Sequence, residues 1–353
     1  MTDAMLTIDG SIGEGGGEIL RSALSLATCA RRAFRIVNVR AQRPKPGLRP
    51  QHLAAIRAAA EVCGADVEGA TVGSRALTFV PGPVAPGEYE FKIGTAGSTS
   101  LVLQTVLPAL LTATRPSDLR LEGGTHNPLA PTFDYLARVY LPLLERMGAR
   151  VAIELERPGF EPAGGGVVRA RITPARRLAP LHLDSRGDVQ RIEAEVLLSR
   201  LPAHVAERES RVLAEMLELE AGAVTVRTVE DSPGPGNVVT VFAICEHVTE
   251  AFVGFGRRGR PAELVARAAA KGAREYLAGG APAGPYLADQ LLLPLALVGS
   301  GSYVTSRPSA HTLTNMRVIR EFLPVDIRST EIAGSGTWRI EVVGGEAEPD
   351  RTR

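Results

Sequence analysis

The chain has 353 residues, 44% of them hydrophobic and 22% charged, with a formal net charge of +1. That composition excludes a disordered chain, and near-neutral charge argues against a protein that coats polyanions wholesale. The longest apolar run, Leu291 to Val298, is interrupted by Pro294 and falls far short of the ~20 residues a bilayer span needs, so no membrane association is expected.

A short apolar strand, Met5 to Ile8, leads into a glycine-rich turn, Gly10 to Gly17, and then into an apolar helix pattern from about Ile19 to Ala30. A β-rich run, Phe34 to Val39, precedes a proline-rich loop, Arg43 to Pro50. A helix from Gln51 to Val62 follows and stops at Cys63-Gly64. The same order recurs with a glycine turn at Gly94 to Gly97, a helix over Ser98 to Ala113, a strand at Leu119 to Leu121, a loop from Gly123 to Pro131, and a helix from Thr132 to Met147 closed by Gly148. Gly13 and Gly64 are as far apart in sequence as Gly97 and Gly148, which points to a duplicated unit of two helices and a small sheet.

After Arg186 the pattern changes. Val189 to Leu198 reads as a strand and Ala203 to Leu217 as an amphipathic helix. Val224 to Val229 and Val238 to Ile244 read as alternating strands joined by the turn Ser232 to Gly236. Phe252 to Phe255 adds a strand and Pro261 to Leu277 a helix. A third, shorter copy of the unit then follows. It has helices at Tyr286 to Val298 and Ser309 to Phe322, and strands at Tyr303 to Thr305, Val325 to Ile327 and Thr337 to Val343. Because repeat-like elements resume there, residues 186–280 are expected to be an inserted α+β domain within a repeat-built domain of residues 1–185 and 281–353.

Four segments carry candidate chemistry. In "DGSIGEGGGEILR", Asp9 to Arg21, the glycines permit close backbone approach and a helix N-terminus offers N–H groups to an anion. Arg21 sits one turn into that helix, and Glu14 could hold Mg2+ against a triphosphate. Neither the Walker nor the dinucleotide spacing is met, and a structural turn is the alternative. In "RAQRPKPGLRPQH", Arg40 to His52, basic side chains alternate with prolines, and a stiff loop loses little entropy on gripping an anion. Seven basic residues and no acidic one lie between Arg31 and His52, although 37 of the 40 basic residues in the chain are Arg, so codon bias and a solvated face remain open.

In "RPSAHTLTN", Arg307 to Asn315, Ser309 is a good N-cap, which puts His311 at the second helical position. The positive helix end disfavours imidazolium there, so the ring would stay neutral and able to attack phosphorus, unless it is a plain surface or capping histidine. In "YLADQ", Asp289 and Gln290 suit capping as well as ligand contact. The other histidines share no ligand spacing, so a histidine-held metal is not expected. No basic residue precedes Arg21, and Cys29, Cys63 and Cys245 lie far apart. A secretory signal and a disulfide scaffold are therefore unexpected, and the cytoplasm is the expected compartment.

Taken together, "DGSIGEGGGEILR", "RPKPGLRPQHL", "GTAGSTSLVLQ", "GGTHNPLAPTFDYL", "RPGFEPAGGGVVR", "YLADQLLLP" and "HTLTNMRVI" make the chain resemble the RNA 3′-terminal phosphate cyclase family over nearly its whole length. The resemblance implies an α+β fold of three repeated βαβαββ-type units, each two helices on a four-stranded sheet, with an inserted smaller α+β domain. It implies ATP-dependent conversion of an RNA 3′-phosphate to a 2′,3′-cyclic phosphate. The route would pass through a histidyl-AMP adduct at His311 and an RNA-(3′)pp(5′)A intermediate. Carried over by position, Glu14 would hold a divalent cation, Mg2+ or Mn2+. Arg21, Arg40, Arg43 and Gln51 would contact phosphates or the RNA end. Gln104, Pro131, Tyr286, Leu287, Ala288, Asp289 and Gln290 would form the ATP site, with Tyr286 as a stacking face for adenine and Pro131 as the opposite wall. No stable protein partner is implied.

Two positions depart from the family pattern. Glutamine is usual where Glu18 stands, and a carboxylate beside bound phosphate is unfavourable unless it pairs with Arg21 or joins the metal shell. Tyrosine is common where Glu161 stands. Three rival classes are a non-catalytic relative lacking the histidine, an enolpyruvyl-transfer enzyme built from similar repeats, and a plain RNA-binding module. Acquisition of AMP at His311 separates all three from the cyclase reading.

Overall fold

The computed structural model describes residues 5–13, 15–220 and 222–345. The first unit runs β1 (Leu6–Asp9), α1 (Gly17–Ala30), β2 (Phe34–Val37), α2 (Pro50–Cys63), β3 (Asp66–Glu68) and β4 (Leu77–Val80). Its sheet has the order β1-β2-β4-β3, with β1 and β2 parallel and the other pairs antiparallel. The second unit repeats this with β5 (Glu88–Lys92), α3 (Thr99–Leu111), β6 (Ser117–Gly123), β7 (Arg150–Arg157) and β8 (Gly166–Thr173), in the order β5-β6-β8-β7. Its second helix is α4 (Phe133–Tyr135), a π turn (Leu136–Tyr140) and α5 (Leu141–Arg146) in succession.

The third unit opens with β9 (His182–Leu183), and the chain then leaves it. The departing segment forms β10 (Val189–Ser199), α6 (His204–Leu217), β11 (Val224–Val229), β12 (Gly236–Cys245), β13 (Thr249–Phe255) and α7 (Ala262–Ala278). It has its own sheet, β11-β10-β12-β13. It also has its own core, which includes Val196, Leu198, Leu213, Val241, Val265 and Ala269. The third unit then resumes with α8 (Pro285–Val298), β14 (Ser300–Thr305), α9 (Ala310–Phe322), β15 (Val325–Ile332) and β16 (Thr337–Gly344). Its sheet, β9-β14-β16-β15, has the strand order of the other two. The third copy is therefore complete rather than shortened: its first strand pairs parallel with β14 from the far side of the intervening segment.

Local chemistry sets the helix limits. Ser98 Oγ accepts from Leu101 N at 3.3 Å to start α3, and Gly64 at φ +57° ends α2 in the left-handed region. α1 is buried along Ile19, Leu20, Ala23, Leu24 and Ala27, and it packs on α2, α3 and α9. One core consequently joins all three units, and Phe34 of β2 meets Phe322 of α9 edge-on at 5.8 Å. Truncating a fully buried leucine such as Leu24 should cost about 2–5 kcal/mol. The departing segment is tied back by Arg138, which donates to Glu193 and to Glu195 (2.9 Å) and lies 3.7 Å over the Phe242 ring. It is tied a second time by Glu250 of β13, whose Oε1 accepts from Gly284 N at the start of α8 at 2.6 Å.

Candidate active site

Ser309 caps α9 as its residue type suggests: its Oγ accepts from Thr312 N at 3.0 Å, which leaves His311 in the first turn. The Asp289 carboxylate of α8 accepts from Ser309 Oγ at 3.2 Å and from Thr312 Oγ1. Asn315 Nδ2 donates to Asp289 O at 3.3 Å, so α8 and α9 are pinned together at the start of the latter. Burial pushes the Asp289 carboxyl up to about 6, the Thr312 hydroxyl opposes that shift, and the nearby Glu18 charge adds to it. Asp289 is thus committed to shaping the His311 helix.

His311 Nδ1 lies 2.5 Å from Glu18 Oε2, in the first turn of α1. The sequence offers Glu18 either Arg21 or a metal as partner; the structure adds His311, and the charge of Arg21 also acts on Glu18. Just upstream, Gly13 has φ +61°, and a side chain there would overlap Thr314 Oγ1, so the glycine turn lies directly on α9. A Cβ on Gly17 would overlap His52 Nε2 and stand 3.1 Å from Arg21 Nη1, so these two side chains lie over the start of α1. Burial, then the charges of Arg21, Arg40 and Arg49, push His52 down to about 3. Its Nδ1 accepts from Arg49 N at 3.0 Å, which makes it a neutral brace for the start of α2.

Arg43 Nη2 is 3.6 Å from where a Gly16 side chain would begin, and Gln51 Cβ is 3.1 Å from the corresponding point on Gly97. The N-terminal ends of α1, α2 and α3 therefore meet here, with that of α9 held against α1 through His311 and Thr314. Four helix ends with Arg21 and Arg43 form a concentrated positive field, which fits the charge of a triphosphate. Arg40 is placed differently from the sequence expectation. Its Nη1 donates to Lys45 O at 3.0 Å and Gly47 O at 3.4 Å, so its guanidinium folds the loop instead of reaching out. Burial and then the charges of Arg49 and Arg43 lower its pKa.

Of the expected ATP residues, Gln104 and Gln290 are brought together, Nε2 to Oε1 at 2.6 Å, joining α3 to α8. Gln290 Nε2 also donates to Tyr286 O at 3.3 Å. Leu287 and Ala288 are buried at 0% and 1% exposure, so their side chains belong to the core. The Ala288 carbonyl already accepts from Tyr303 OH at 2.6 Å. Tyr286 is 73% exposed and free of the core, as a stacking face requires. Pro131 is half-buried just before Thr132, whose Oγ1 accepts from Tyr135 N at 3.2 Å to start α4. Glu14 lies outside the described residues, and among the described residues no group of three or more His, Cys, Asp or Glu gathers to hold a metal. His126 is buried and bridges Thr125 and Asp134, each at 2.7 Å, in the loop between β6 and α4.

Comparison with known proteins points to one family. The family model for RNA 3′-terminal phosphate cyclase matches residues 12–329. A protein of Ectopseudomonas mendocina named RNA 3′-terminal phosphate cyclase is 49% identical over 98% of this chain and 100% of its own length. Proteins of the same name from Koribacter versatilis (48% identical, 93% of this chain and 92% of theirs) and Pseudomonas fluorescens (49%, 94% and 96%) are similar to it as well.

Proposed function

This chain belongs to the RNA 3′-terminal phosphate cyclase family, and on that premise we propose that it is an ATP-dependent enzyme of ligase-type nucleotidyl transfer. It converts RNA 3′-phosphate ends to 2′,3′-cyclic phosphates, with His311 as the carrier of AMP. The observation that supports this most is the position of His311, at the start of α9 and against the first turn of α1, where other helix ends and Arg21 converge. An imidazole there can approach a phosphorus whose oxygens are held by N–H groups and guanidinium groups.

The reaction follows from what a phosphate monoester lacks. Its oxygens are poor leaving groups, so the 3′-phosphate must first be capped. The His311 ring attacks the α-phosphorus of ATP and pyrophosphate departs. The RNA 3′-phosphate then takes AMP from the ring. The vicinal 2′-OH attacks the capped phosphate, and AMP leaves as the cyclic ester closes. Arg21 and Arg43 neutralise phosphate oxygens, Gln51 meets the RNA end, and Gln104 with Gln290 and Tyr286 seat the nucleotide. A divalent cation, Mg2+ or Mn2+, held by Glu14 would offset part of the triphosphate charge. These groups lie in residues 1–185 and 281–353, with 186–280 as a separate inserted domain, and we assign the activity to the cytoplasm, in keeping with three free cysteines.

An RNA carrying a labelled 3′-phosphate tests the proposal. Incubation with the protein, ATP and Mg2+ should leave the label resistant to phosphatase. The resistance should vanish when ATP is omitted. An RNA end that stays fully sensitive under all conditions refutes it.

A further inference from the structure

We propose that Glu18 is a positioning residue for nucleotidyl transfer: it holds the hydrogen of His311 on Nδ1 and so presents the lone pair on Nε2 to the α-phosphorus. This rests on the reading of His311 as the AMP carrier. A neutral imidazole has one lone-pair nitrogen and one N–H, and which is which depends on the partner of each. An ionised carboxylate can only accept. With Glu18 Oε2 at 2.5 Å from Nδ1, the hydrogen belongs on Nδ1 and the nucleophilic pair on Nε2. The geometry is not left to two loose side chains. Both residues sit in first turns of helices that pack directly on each other, and Gly13, just upstream of α1, lies against Thr314, one turn beyond His311. The Glu18 side chain is only 21% exposed.

The carboxylate has a second effect as the bond forms. Nε2 gives its electron pair to phosphorus, the bond from phosphorus to the bridging oxygen breaks, and that oxygen leaves with its pair as pyrophosphate. The ring keeps its Nδ1–H and becomes cationic. A carboxylate on that hydrogen therefore stabilises the adduct and the transition state before it more than the free ring. On the return, an oxygen of the RNA 3′-phosphate attacks phosphorus and the ring leaves neutral, with its hydrogen still on Nδ1. No proton has to enter or leave between the two steps. Among the described residues, the charges of Arg21 and of Asp289 also act on Glu18, with opposite sign.

The test follows single-turnover transfer of labelled AMP from ATP to the protein. It runs alongside 15N spectra of histidine-labelled protein, with the His311 signals identified by their loss in His311→Ala. Glu18→Ala should slow labelling about 100-fold, with the ATP concentration for half-maximal rate changed less than about 3-fold. Glu18→Gln keeps an acceptor at Nδ1 without the charge and should recover at least about tenfold of that loss. The spectra should show the Nδ1–H tautomer in the parent and in Glu18→Gln, and a mixture in Glu18→Ala. Parent-like labelling by Glu18→Ala, a loss of ATP affinity in place of rate, or an Nε2–H tautomer in the parent each overturns the proposal. Should Glu18→Ala fail to fold, the tautomer of the parent decides alone. Label persisting in His311→Ala is the separate failure of the functional reading, and the 15N spectra judge the Glu18 contact whichever way that comes out.

Discussion

Replacing Gly13 by alanine strikes the seat between the glycine turn and the helix that carries His311, and its cost can be worked out in two parts. At φ +61° an alanine adopts a left-handed conformation, at about 1–2 kcal/mol. Its Cβ would also overlap Thr314 Oγ1 and stand 3.2 Å and 3.4 Å from Thr314 Cβ and Cγ2, an overpacking that adds about 1–3 kcal/mol. The sum is about 2–5 kcal/mol. The two parts separate by a second substitution. Thr314→Ala removes Oγ1 and Cγ2, and by itself gives up only the 2.7 Å bond from Oγ1 to Ala310 O, under about 1 kcal/mol. In the double variant the Oγ1 overlap is gone while the 3.2 Å approach to Cβ and the backbone part remain, so the pair should be more stable than the sum of the singles by about 1–3 kcal/mol. Urea unfolding followed through the single tryptophan, Trp338, measures all four proteins. A Gly13→Ala loss below about 0.5 kcal/mol, or strict additivity in the double variant, would refute the packing argument.

The Glu250 carboxyl is pushed up to about 7 by burial, so the folded protein favours its protonated form. Its contribution to stability is full below the ordinary carboxyl range, near pH 4.5, and is lost as pH rises through about 7, by about 3 kcal/mol. The melting temperature of Glu250→Gln relative to the parent should therefore rise between pH 5 and pH 8, and an offset constant across that range contradicts the assignment. Gln104→Ala removes the 2.6 Å bridge to Gln290 and should raise the ATP needed for half-maximal labelling about 5-fold; an unchanged ATP dependence removes the bridge from the nucleotide seat. Arg43→Ala should slow RNA-end cyclisation about 10–100-fold while the variant stays folded, and unchanged RNA turnover takes Arg43 out of the site.

Much of this architecture was legible because it is local. Glycine turns, Ser309 as a cap and Gly64 as a stop each act within a few residues, and the structure puts helices where those signals lie. What escaped was long-range. β9 is two residues and gains its identity only by pairing with β14 across the inserted segment, so the third unit looked truncated. Glu18 and His311 lie at opposite ends of the chain, and nothing near either residue announces the contact. Side-chain burial along α8 follows helical spacing: Leu287 with Leu291 and Ala288 with Leu292 lie on the core face, whereas Tyr286 and Gln290 form the adjacent, more open stripe. Arg40 shows the limit of counting charges, since its guanidinium donates to the carbonyls of Lys45 and Gly47 in its own loop, a contact that composition does not reveal.

The most direct measurement is incubation with ATP labelled at the α-phosphorus, in the presence of Mg2+, followed by denaturing separation of the protein. Acid-labile, base-stable AMP is expected on the parent protein, and none on a folded His311→Ala variant. Label that survives in that variant, or a parent protein that never acquires it, contradicts the assignment of His311 as the nucleophile.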